Sequence, residues 1–216
     1  MSFIFIACAD KKSETLSQIE NSTSTKDTAN LNEWEHEIRD RTVWQKPYDV
    51  IHKLGSLEGK VIADIGAGSG YFSFRFIHEA EKVIAIDIDP DLIQMMDQEK
   101  IYYKKEIQDR FEARLAEKDD PKLKDGEVDI IFIANTYTYI QNRKNYLKAL
   151  LPKFKPGGQL MIVDFKKKLT PIGPAQNCRM AQSDIEQELL DAGYSILDSD
   201  DLMLEYQYII VAKGGL

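Results

Sequence analysis

Three glycines and two aspartates in the first half of the chain are the residues best suited to bind a charged ligand. Gly66, Gly68 and Gly70 stand in the sequence DIGAGSG, and Asp64 is the first residue of that sequence. Glycines between a strand and a helix allow a tight turn and let the backbone approach a ligand at the helix N-terminus. Asp87 ends the next apolar run, about twenty residues further on, where a carboxylate can accept hydrogen bonds from a ribose. The pattern predicts a ligand that contains a nucleoside.

The spacing of the glycines argues against a dinucleotide as that ligand. A dinucleotide fingerprint reads G-x-G-x-x-G, whereas this chain reads G-x-G-x-G with Asp64 in front. A carboxylate at this position would repel a pyrophosphate but would attract a cationic ligand. A nicotinamide-dependent oxidoreductase is therefore the less favoured alternative.

Alternating strands and helices must position these residues. Apolar runs predict seven strands, at Lys60–Ile65, Val83–Asp87, Phe111–Leu115, Val128–Ala134, Gln159–Phe165 after the turn KPGG, Tyr194–Leu197 and Tyr206–Ala212. Helices are predicted at Tyr71–His78, Pro90–Gln98, Lys144–Lys153 and from a capping box of Ser183 and Glu186 to Gly193. This order predicts an α/β domain with a mainly parallel sheet, helices on both faces and an antiparallel C-terminal edge.

Two segments precede the first predicted strand. Residues 1–30 are predicted to form a flexible tail, because a polar stretch rich in Ser, Thr and Asn follows a short apolar run. The domain is predicted to span residues 31–216 and to begin with a helical segment, 31–55, which Pro47 interrupts.

The apolar run at the start of the chain is relevant to the cellular location of the protein. It ends in FIAC at Cys8, which resembles the lipobox of bacterial lipoproteins, although no basic region precedes it. The expected location is the cytoplasm if Met1 is the true start, and a lipoprotein anchored to the membrane through Cys8 is the alternative.

Charge and composition exclude several other kinds of function. The net charge of −8 gives no broad attractive field for nucleic acid, so no nucleic-acid partner is expected. No apolar run approaches the ~18 residues of a transmembrane helix. The cysteines and histidines have no metal-ligand spacing, so no metal site is predicted.

Taken together, these motifs resemble the class I S-adenosylmethionine-dependent methyltransferases, of the type 11 and type 25 kind, from about Arg39 to the C-terminus. The family motif D-x-G-x-G-x-G matches DIGAGSG, and its acidic second-strand end matches Asp87. The stretch FEARLAEKDDPKLKDGEVD, the loop NTYTYI and the turn KPGG also fit the family pattern. The resemblance implies a Rossmann-like, seven-stranded fold and S-adenosylmethionine as cofactor.

The resemblance also implies roles for individual residues. It assigns the amino group of the cofactor to Asp64, the ribose to Asp87 and the adenine to Glu117. The full set of residues implied to bind the cofactor is Asp64, Gly66, Ala67, Gly68, Gly70, Asp87, Ile88, Glu117 and Asn135.

Residues at the ends of the fourth and fifth strands, or just after them, are candidates for binding the molecule that accepts the methyl group. Open α/β sheets bind ligands at the carboxyl ends of their strands, where Asn135, Tyr137, Tyr139 and Asp164 stand. We assign a catalytic role to Asn135, Tyr137 and Asp164. The alternatives are that the tyrosines pack beneath the next helix and that Asp164 is a structural acid at a strand end.

The segment RTVWQKPYD matches a pattern in a subset of these enzymes, in which it folds over the cofactor. Trp44, Gln45 and Tyr48 are therefore lid candidates, unless Trp44 only anchors its helix to the sheet. The expected function is methyl transfer to an unidentified small-molecule or protein acceptor. The alternative is a tethered protein that binds the cofactor without catalysis.

Overall fold

A computed structural model of the chain describes residues 40–214. The predicted tail at 1–30, with Cys8, and the first part of the predicted lid, at 31–39, lie outside the described residues. The following description is of residues 40–214 alone.

Seven strands form one sheet in the order β3-β2-β1-β4-β5-β7-β6. The strands β1 to β5 run parallel, and β7 is antiparallel to both of its neighbours. This confirms the predicted α/β class, the mainly parallel sheet and the antiparallel C-terminal edge. The strands are β1 Val61–Ile65, β2 Lys82–Asp87, β3 Phe111–Leu115, β4 Val128–Ala134, β5 Phe154–Phe165, β6 Ser195–Asp200 and β7 Gln207–Lys213.

Helices cover both faces of this sheet. On one face α2, α3 and α4 enclose an apolar core around Phe76 and Phe132. On the other face α6 and α7 enclose a second core around Leu147 and Leu189. The α-helices are α1 Arg41–Gln45, α2 Pro47–His52, α3 Ser73–Phe76, α4 Pro90–Glu99, α5 Lys105–Gln108, α6 Arg143–Leu150 and α7 Gln182–Ala192.

Pro47 separates the first two helices. Lys46 ends α1 with a left-handed backbone at a φ of 44°, and Pro47 is the first residue of α2. A proline disfavours a right-handed helical conformation in the residue before it, so the chain turns here. The described part of the predicted helical segment 31–55 thus contains two short helices that meet at Pro47.

Two local predictions were wrong. Ser183 and Glu186 form no capping box, because α7 begins at Gln182 with Ala181 as its N-cap and has no side-chain cap. Glu186 instead accepts a hydrogen bond from Ser199 of β6. The sequence KPGG belongs to β5, where the pairing with β4 shifts register between Val128 and Ile130.

Within the described range, no helix has the length and apolar character needed to cross a membrane. The same residues contain no cluster of three or more His, Cys, Asp or Glu side chains that could hold a metal ion.

Candidate active site

The glycine loop between β1 and α3 is bound to the end of β2. The backbone N–H groups of Gly66 and Ala67 both donate to the carbonyl oxygen of Ile86, at 2.8 and 3.0 Å. Gly70 closes the loop by donating to the carbonyl of Ala67 at 3.0 Å. The loop is therefore fixed by backbone hydrogen bonds at the carboxyl edge of the sheet, where open α/β sheets bind ligands.

The three glycines of this loop all have positive φ angles, but the space around them differs. A β-carbon on Gly66 would lie 2.3 Å from Oγ1 of Thr136, and one on Gly70 would lie 2.6 Å from the ring of Phe74. A β-carbon on Gly68 would meet no atom within 4 Å. Gly66 and Gly70 therefore permit close packing, whereas Gly68 faces open space that a ligand can fill.

Asp87 lies beside Gly68 and already accepts two backbone hydrogen bonds. Its Oδ2 accepts from the N–H of Gly68 at 2.8 Å, and its Oδ1 accepts from the N–H of Asp89 at 3.1 Å. A carboxylate has about four acceptor sites, so each oxygen can still accept a hydrogen bond from a ligand hydroxyl. These backbone bonds also hold the carboxylate in one orientation.

A cavity of about 240 Å³ opens next to Asp87. Its walls come from the ends of β1 and β2 and from the segments that follow β3 and β4. Its lining residues are Ile65, Gly66, Ile86, Asp87, Ile88, Ala116, Glu117, Lys118, Thr136, Tyr139, Ile140, Gln141 and Tyr146. Mostly apolar walls with the carboxylate residues Asp87 and Glu117 among them fit a purine nucleoside.

The structure brings only part of the predicted cofactor set to the cavity walls. Gly66, Asp87, Ile88 and Glu117 line the cavity. The other five are Asp64, Ala67, Gly68, Gly70 and Asn135, which are not among its lining residues. Sequence reasoning missed Ala116 and Ile140 of the loops and Tyr146 of α6, because a largely apolar side chain carries no signal of the ligand that it contacts.

Glu117 reaches the cavity wall from the segment that follows β3. Its carboxylate forms an ion pair with Lys122 at 2.7 Å and remains largely exposed. Its backbone N–H donates to the carbonyl of Asp120 at 3.0 Å. The carboxylate thus lies at the surface, where exposed ion pairs contribute little to stability.

Asp64 is buried behind the loop, with 2 % of its surface exposed. Its Oδ2 accepts a hydrogen bond from the hydroxyl of Ser73 at 2.6 Å. Burial raises the pKa of Asp64 to about 6, and the charge of Asp87 also raises it, whereas the Ser73 hydrogen bond and the charge of Arg41 lower it. The group therefore titrates close to neutral pH.

Asn135 follows β4 with a left-handed backbone, at a φ of 57°. Its backbone N–H donates to the carbonyl of Val163 at 2.8 Å, and its side-chain oxygen accepts a hydrogen bond from Gln207. Asparagine tolerates this conformation better than most residues. Asn135 is thus fixed between β5 and β7, and Gln207 is a positioning residue that the sequence did not reveal.

Tyr137 does not reach the cavity. It is fully buried in the core beneath α7, and its hydroxyl donates to Oε2 of Glu188 at 2.7 Å. Arg143 donates to the same carboxylate at 2.8 Å from its Nε. Burial and the neighbouring Glu188 raise the pKa of Tyr137. We therefore leave Tyr137 out of the acceptor site proposed below.

Asp164 is a buried carboxylate with an unused acceptor atom. It is 2 % exposed, and Oδ1 accepts from the N–H of Phe165 at 2.8 Å, whereas Oδ2 has no hydrogen-bond partner among the described residues. Burial raises the pKa of Asp164 to about 6, whereas the backbone amides of Phe165 and Thr138 and the charge of Arg179 lower it. The charge of Asp164 in turn raises the pKa of Tyr139, after the larger effect of burial, and Tyr139 lines the cavity.

Arg179 orders the segment that follows β5, next to Asp164. Its guanidinium donates to the carbonyl oxygens of Pro174, Lys166, Lys168 and Ile172 and to the hydroxyl of Thr170, at 2.7 to 3.1 Å. One buried cation therefore holds the turns of this segment together.

The three lid candidates lie apart from the cavity walls. The ring of Trp44 packs against that of Phe165 at 5.6 Å, Gln45 is fully buried and Tyr48 is 57 % exposed. None of them is a lining residue. Two residues of this segment contact Tyr71, which precedes α3: the guanidinium of Arg41 stacks on its ring at 4.0 Å, and the hydroxyl of Thr42 lies 3.5 Å from that of Tyr71.

Comparison with known proteins gives one family. A family profile described as a methyltransferase domain matches residues 56–193. Among solved structures, a SAM-dependent methyltransferase from Aquifex aeolicus superposes with a TM-score of 0.74 and 24 % identity, over 81 % of this chain and 93 % of that one. At this identity the superposition supports the fold.

Curated relatives differ in the reaction for which they are named. The ubiquinone/menaquinone biosynthesis C-methyltransferase UbiE of Francisella tularensis subsp. novicida is 25 % identical over 60 % of this chain and 52 % of its own length. Malonyl-[acyl-carrier protein] O-methyltransferase 2 of Ilyobacter polytropus is 27 % identical over 68 % of this chain and 59 % of its own. The chain thus spans between half and three fifths of the length of these two relatives.

Proposed function

Because this chain belongs to the family of methyltransferase domains, we propose that it transfers a methyl group from S-adenosylmethionine to a small-molecule or protein acceptor. The two curated relatives are named for methylation of carbon and of oxygen, so likeness alone does not select the acceptor. The argument for the cofactor and for the acceptor side rests on the site itself.

The observation that carries the proposal is the pairing of Gly68 with Asp87. Gly68 leaves open space where a side chain would stand, and its N–H orients the carboxylate of Asp87 at the wall of the cavity. Asp87 would hold the ribose hydroxyls, and Ile88, Ala116 and Ile140 would contact the base. When bound, S-adenosylmethionine supplies a methyl group on a positively charged sulfur.

The residues of the protein would accelerate methyl transfer mainly by aligning the two reacting groups. Holding a nucleophile in line with the methyl group can supply ~7 to 11 kcal/mol of the barrier. A base is needed only when the nucleophile must lose a proton. Asp164 would serve as that base on the acceptor side, with Asn135 and Tyr139 beside it, because its Oδ2 accepts no hydrogen bond from the described residues and its pKa is about 6.

Binding measurements on Asp87 test the cofactor assignment. Asp87→Ala removes a charged acceptor from the ribose, and we expect the affinity for S-adenosylmethionine and for S-adenosylhomocysteine to fall equally, by about 1.5 to 3 kcal/mol or about 10- to 150-fold. Isothermal titration calorimetry measures both affinities. Asp89→Asn is the matched control, because Asp89 caps α4 and is not a lining residue. Unchanged affinity in Asp87→Ala, or tight binding of NAD to the wild-type protein, would refute the proposal.

Binding of the cofactor is expected to depend on pH through Asp64, which would face the amino group of the cofactor. At pH 5 a carboxyl with a pKa of about 6 is mostly neutral, and at pH 7 it is mostly ionised. Affinity for the cationic amino group should therefore rise about tenfold from pH 5 to pH 7.

Two variants identify the group responsible for this pH dependence. Asp64→Asn should abolish it. Asp164→Asn should retain it, although the pKa of Asp164 is also about 6, because the neighbours of Asp164 are Tyr139 and Arg179 rather than the glycine loop. A pH dependence that survives in Asp64→Asn would mean that another group interacts with the cofactor.

The stability of the ligand-free protein should change in the opposite direction with pH. The folded-state pKa of Asp64 lies above the ordinary value of 3.8, so its favourable contribution is complete below pH ~4 and is lost as pH rises through about 6. Chemical unfolding of the ligand-free protein should therefore show lower stability at pH 7 than at pH 5, relative to Asp64→Asn.

A further inference from the structure

Two polar atoms at the carboxyl edge of the sheet are buried and have no hydrogen-bond partner among residues 40–214. They are Oδ2 of Asp164, near the end of β5, and Oγ1 of Thr138, in the turn that follows β4. The two residues meet, because the backbone amide of Thr138 lies close enough to the carboxylate of Asp164 to lower its pKa. Folded proteins pair nearly all of their buried polar atoms, so two unpaired atoms on neighbouring residues need an explanation.

Other threonine hydroxyls at this edge of the sheet are bound to backbone carbonyls. Oγ1 of Thr136, in the same loop as Thr138, donates to a carbonyl oxygen at 3.0 Å. Oγ1 of Thr170 donates to the carbonyl of Ile172 at 2.6 Å and accepts from Arg179 at 2.7 Å. Thr138 therefore differs from the threonines around it.

The turn that carries Thr138 is fixed on both sides, so loose packing does not explain the unpaired hydroxyl. Tyr137, the residue before it, is buried and donates to Glu188 at 2.7 Å. Tyr139, the residue after it, donates from its backbone N–H to the carbonyl of Thr136 at 3.0 Å, and its side chain lines the cavity. Thr138 is thus held between the core and the cavity wall.

A hydroxyl or amine group can satisfy both unpaired atoms at once. Either group can donate a hydrogen to the carboxylate of Asp164, which only accepts when it is ionised. A hydroxyl can also accept from Thr138, and an amine can donate a second hydrogen to it, because a threonine hydroxyl both donates and accepts. The two atoms therefore favour a ligand that carries hydrogen on oxygen or nitrogen.

Other nucleophiles fit these two atoms poorly. A carbon nucleophile forms neither hydrogen bond and would leave both buried atoms unpaired, which costs free energy. A carboxylate nucleophile carries no hydrogen near neutral pH, and the negative charge of Asp164 would repel it.

We propose that the methyl acceptor binds through a hydroxyl or amine group between Thr138 and Asp164, and that this oxygen or nitrogen receives the methyl group. A bond forms between that atom and the methyl carbon while the carbon–sulfur bond breaks and leaves its electron pair on sulfur. The proton of the hydroxyl or amine passes to Oδ2 of Asp164. This inference rests on the proposed function, and it assigns Thr138 to the acceptor site.

The chemistry of the methylated products tests the class of acceptor. The protein transfers tritium from methyl-labelled S-adenosylmethionine to components of a cell extract, and label found without the protein is subtracted. Alkali releases methyl esters as methanol, boiling hydriodic acid then releases methyl groups on oxygen as methyl iodide, and stronger heating releases those on nitrogen. We expect label in either hydriodic acid fraction. Label released by alkali, or retained on carbon, would overturn the proposal.

Substitutions of Thr138 test the residue itself. Thr138→Val keeps the size of the side chain but removes its hydroxyl, so transfer of label should fall about tenfold or more, while cofactor affinity changes less than about twofold. Thr138→Ser keeps a hydroxyl and should retain most of the transfer. Equal transfer by Thr138→Val and the wild-type protein would overturn the role of Thr138.

Thermal melting of the ligand-free variants separates a binding role of Thr138 from a structural one. Because its hydroxyl is buried without a partner among the described residues, Thr138→Val should raise Tm by about 2 to 4 °C. Thr170→Val is the matched control, and its Tm should fall, because that hydroxyl has two partners. A lower Tm for Thr138→Val would show that the hydroxyl is already bonded in the ligand-free protein, and would overturn the proposal.

Failure of the proposed function gives a different result. A wild-type protein that binds no S-adenosylmethionine in calorimetry would overturn the proposed function, and this inference with it. A protein that binds the cofactor but transfers its methyl group to carbon or to a carboxylate would overturn this inference alone.

Discussion

Gly66→Val should destabilise the protein by about 2 to 5 kcal/mol, a large fraction of the ~5 to 15 kcal/mol that ordinarily stabilises a folded protein. A β-carbon at this position would lie 2.3 Å from Oγ1 and 2.7 Å from Cβ of Thr136. The Cβ of Thr136 cannot move without its backbone, which Asn135 ties to β5. The positive φ of 75° adds strain for a branched residue. Overpacking costs about 1 to 3 kcal/mol and left-handed strain about 1 to 2 kcal/mol, and urea unfolding measures their sum.

Gly68→Val is the matched comparison, because the φ of Gly68 is also positive, at 60°, but a β-carbon at this position would meet no atom within 4 Å. We expect only the strain of about 1 to 2 kcal/mol, so the protein should remain folded. The side chain would fill the space assigned to the cofactor, and binding should be lost in calorimetry. A folded Gly68→Val that binds S-adenosylmethionine normally would show that the ligand does not approach this glycine.

Asp164→Asn should reduce turnover by about 100-fold or more, because general-base catalysis typically contributes 10²- to 10⁴-fold. The substitution keeps the size of the side chain but removes its capacity to take a proton. Cofactor affinity should change less than about twofold, since Asp164 is not a lining residue of the cavity. Transfer of tritium from methyl-labelled S-adenosylmethionine to components of a cell extract measures turnover even while the acceptor is unidentified.

The pH profile separates a catalytic Asp164 from a structural one. With a pKa of about 6, an essential base should make wild-type turnover, at saturating cofactor, rise through pH 6, and Asp164→Asn should lose this rise. A variant that is equally active, or one that loses cofactor affinity together with turnover, would place the acceptor site elsewhere. Tyr137→Phe is a useful control, because its hydroxyl contacts Glu188 rather than the cavity.

The sheet and the location of the cofactor motif could be predicted from the order of residues alone. Apolar runs separated by turns correspond to the parallel strands β1 to β5, and the carboxyl ends of parallel strands meet at one edge of the sheet. The residues of DIGAGSG and Asp87 therefore had to lie together, since they stand at the carboxyl ends of the adjacent strands β1 and β2. The spacing of these glycines and aspartates is a property of a short stretch of sequence, so it can be read without knowledge of the rest of the fold.

The role of each residue at that edge depends on packing between distant parts of the chain. Gly68, and not Gly66 or Gly70, faces open space, because Thr136 and Phe74 pack against the other two. In the same way α7 brings Glu188 to Tyr137, β7 brings Gln207 to Asn135, and α1 brings Arg41 towards Asp64. Each of these contacts joins elements whose relative position is set by the whole core, so no local pattern of residues encodes it.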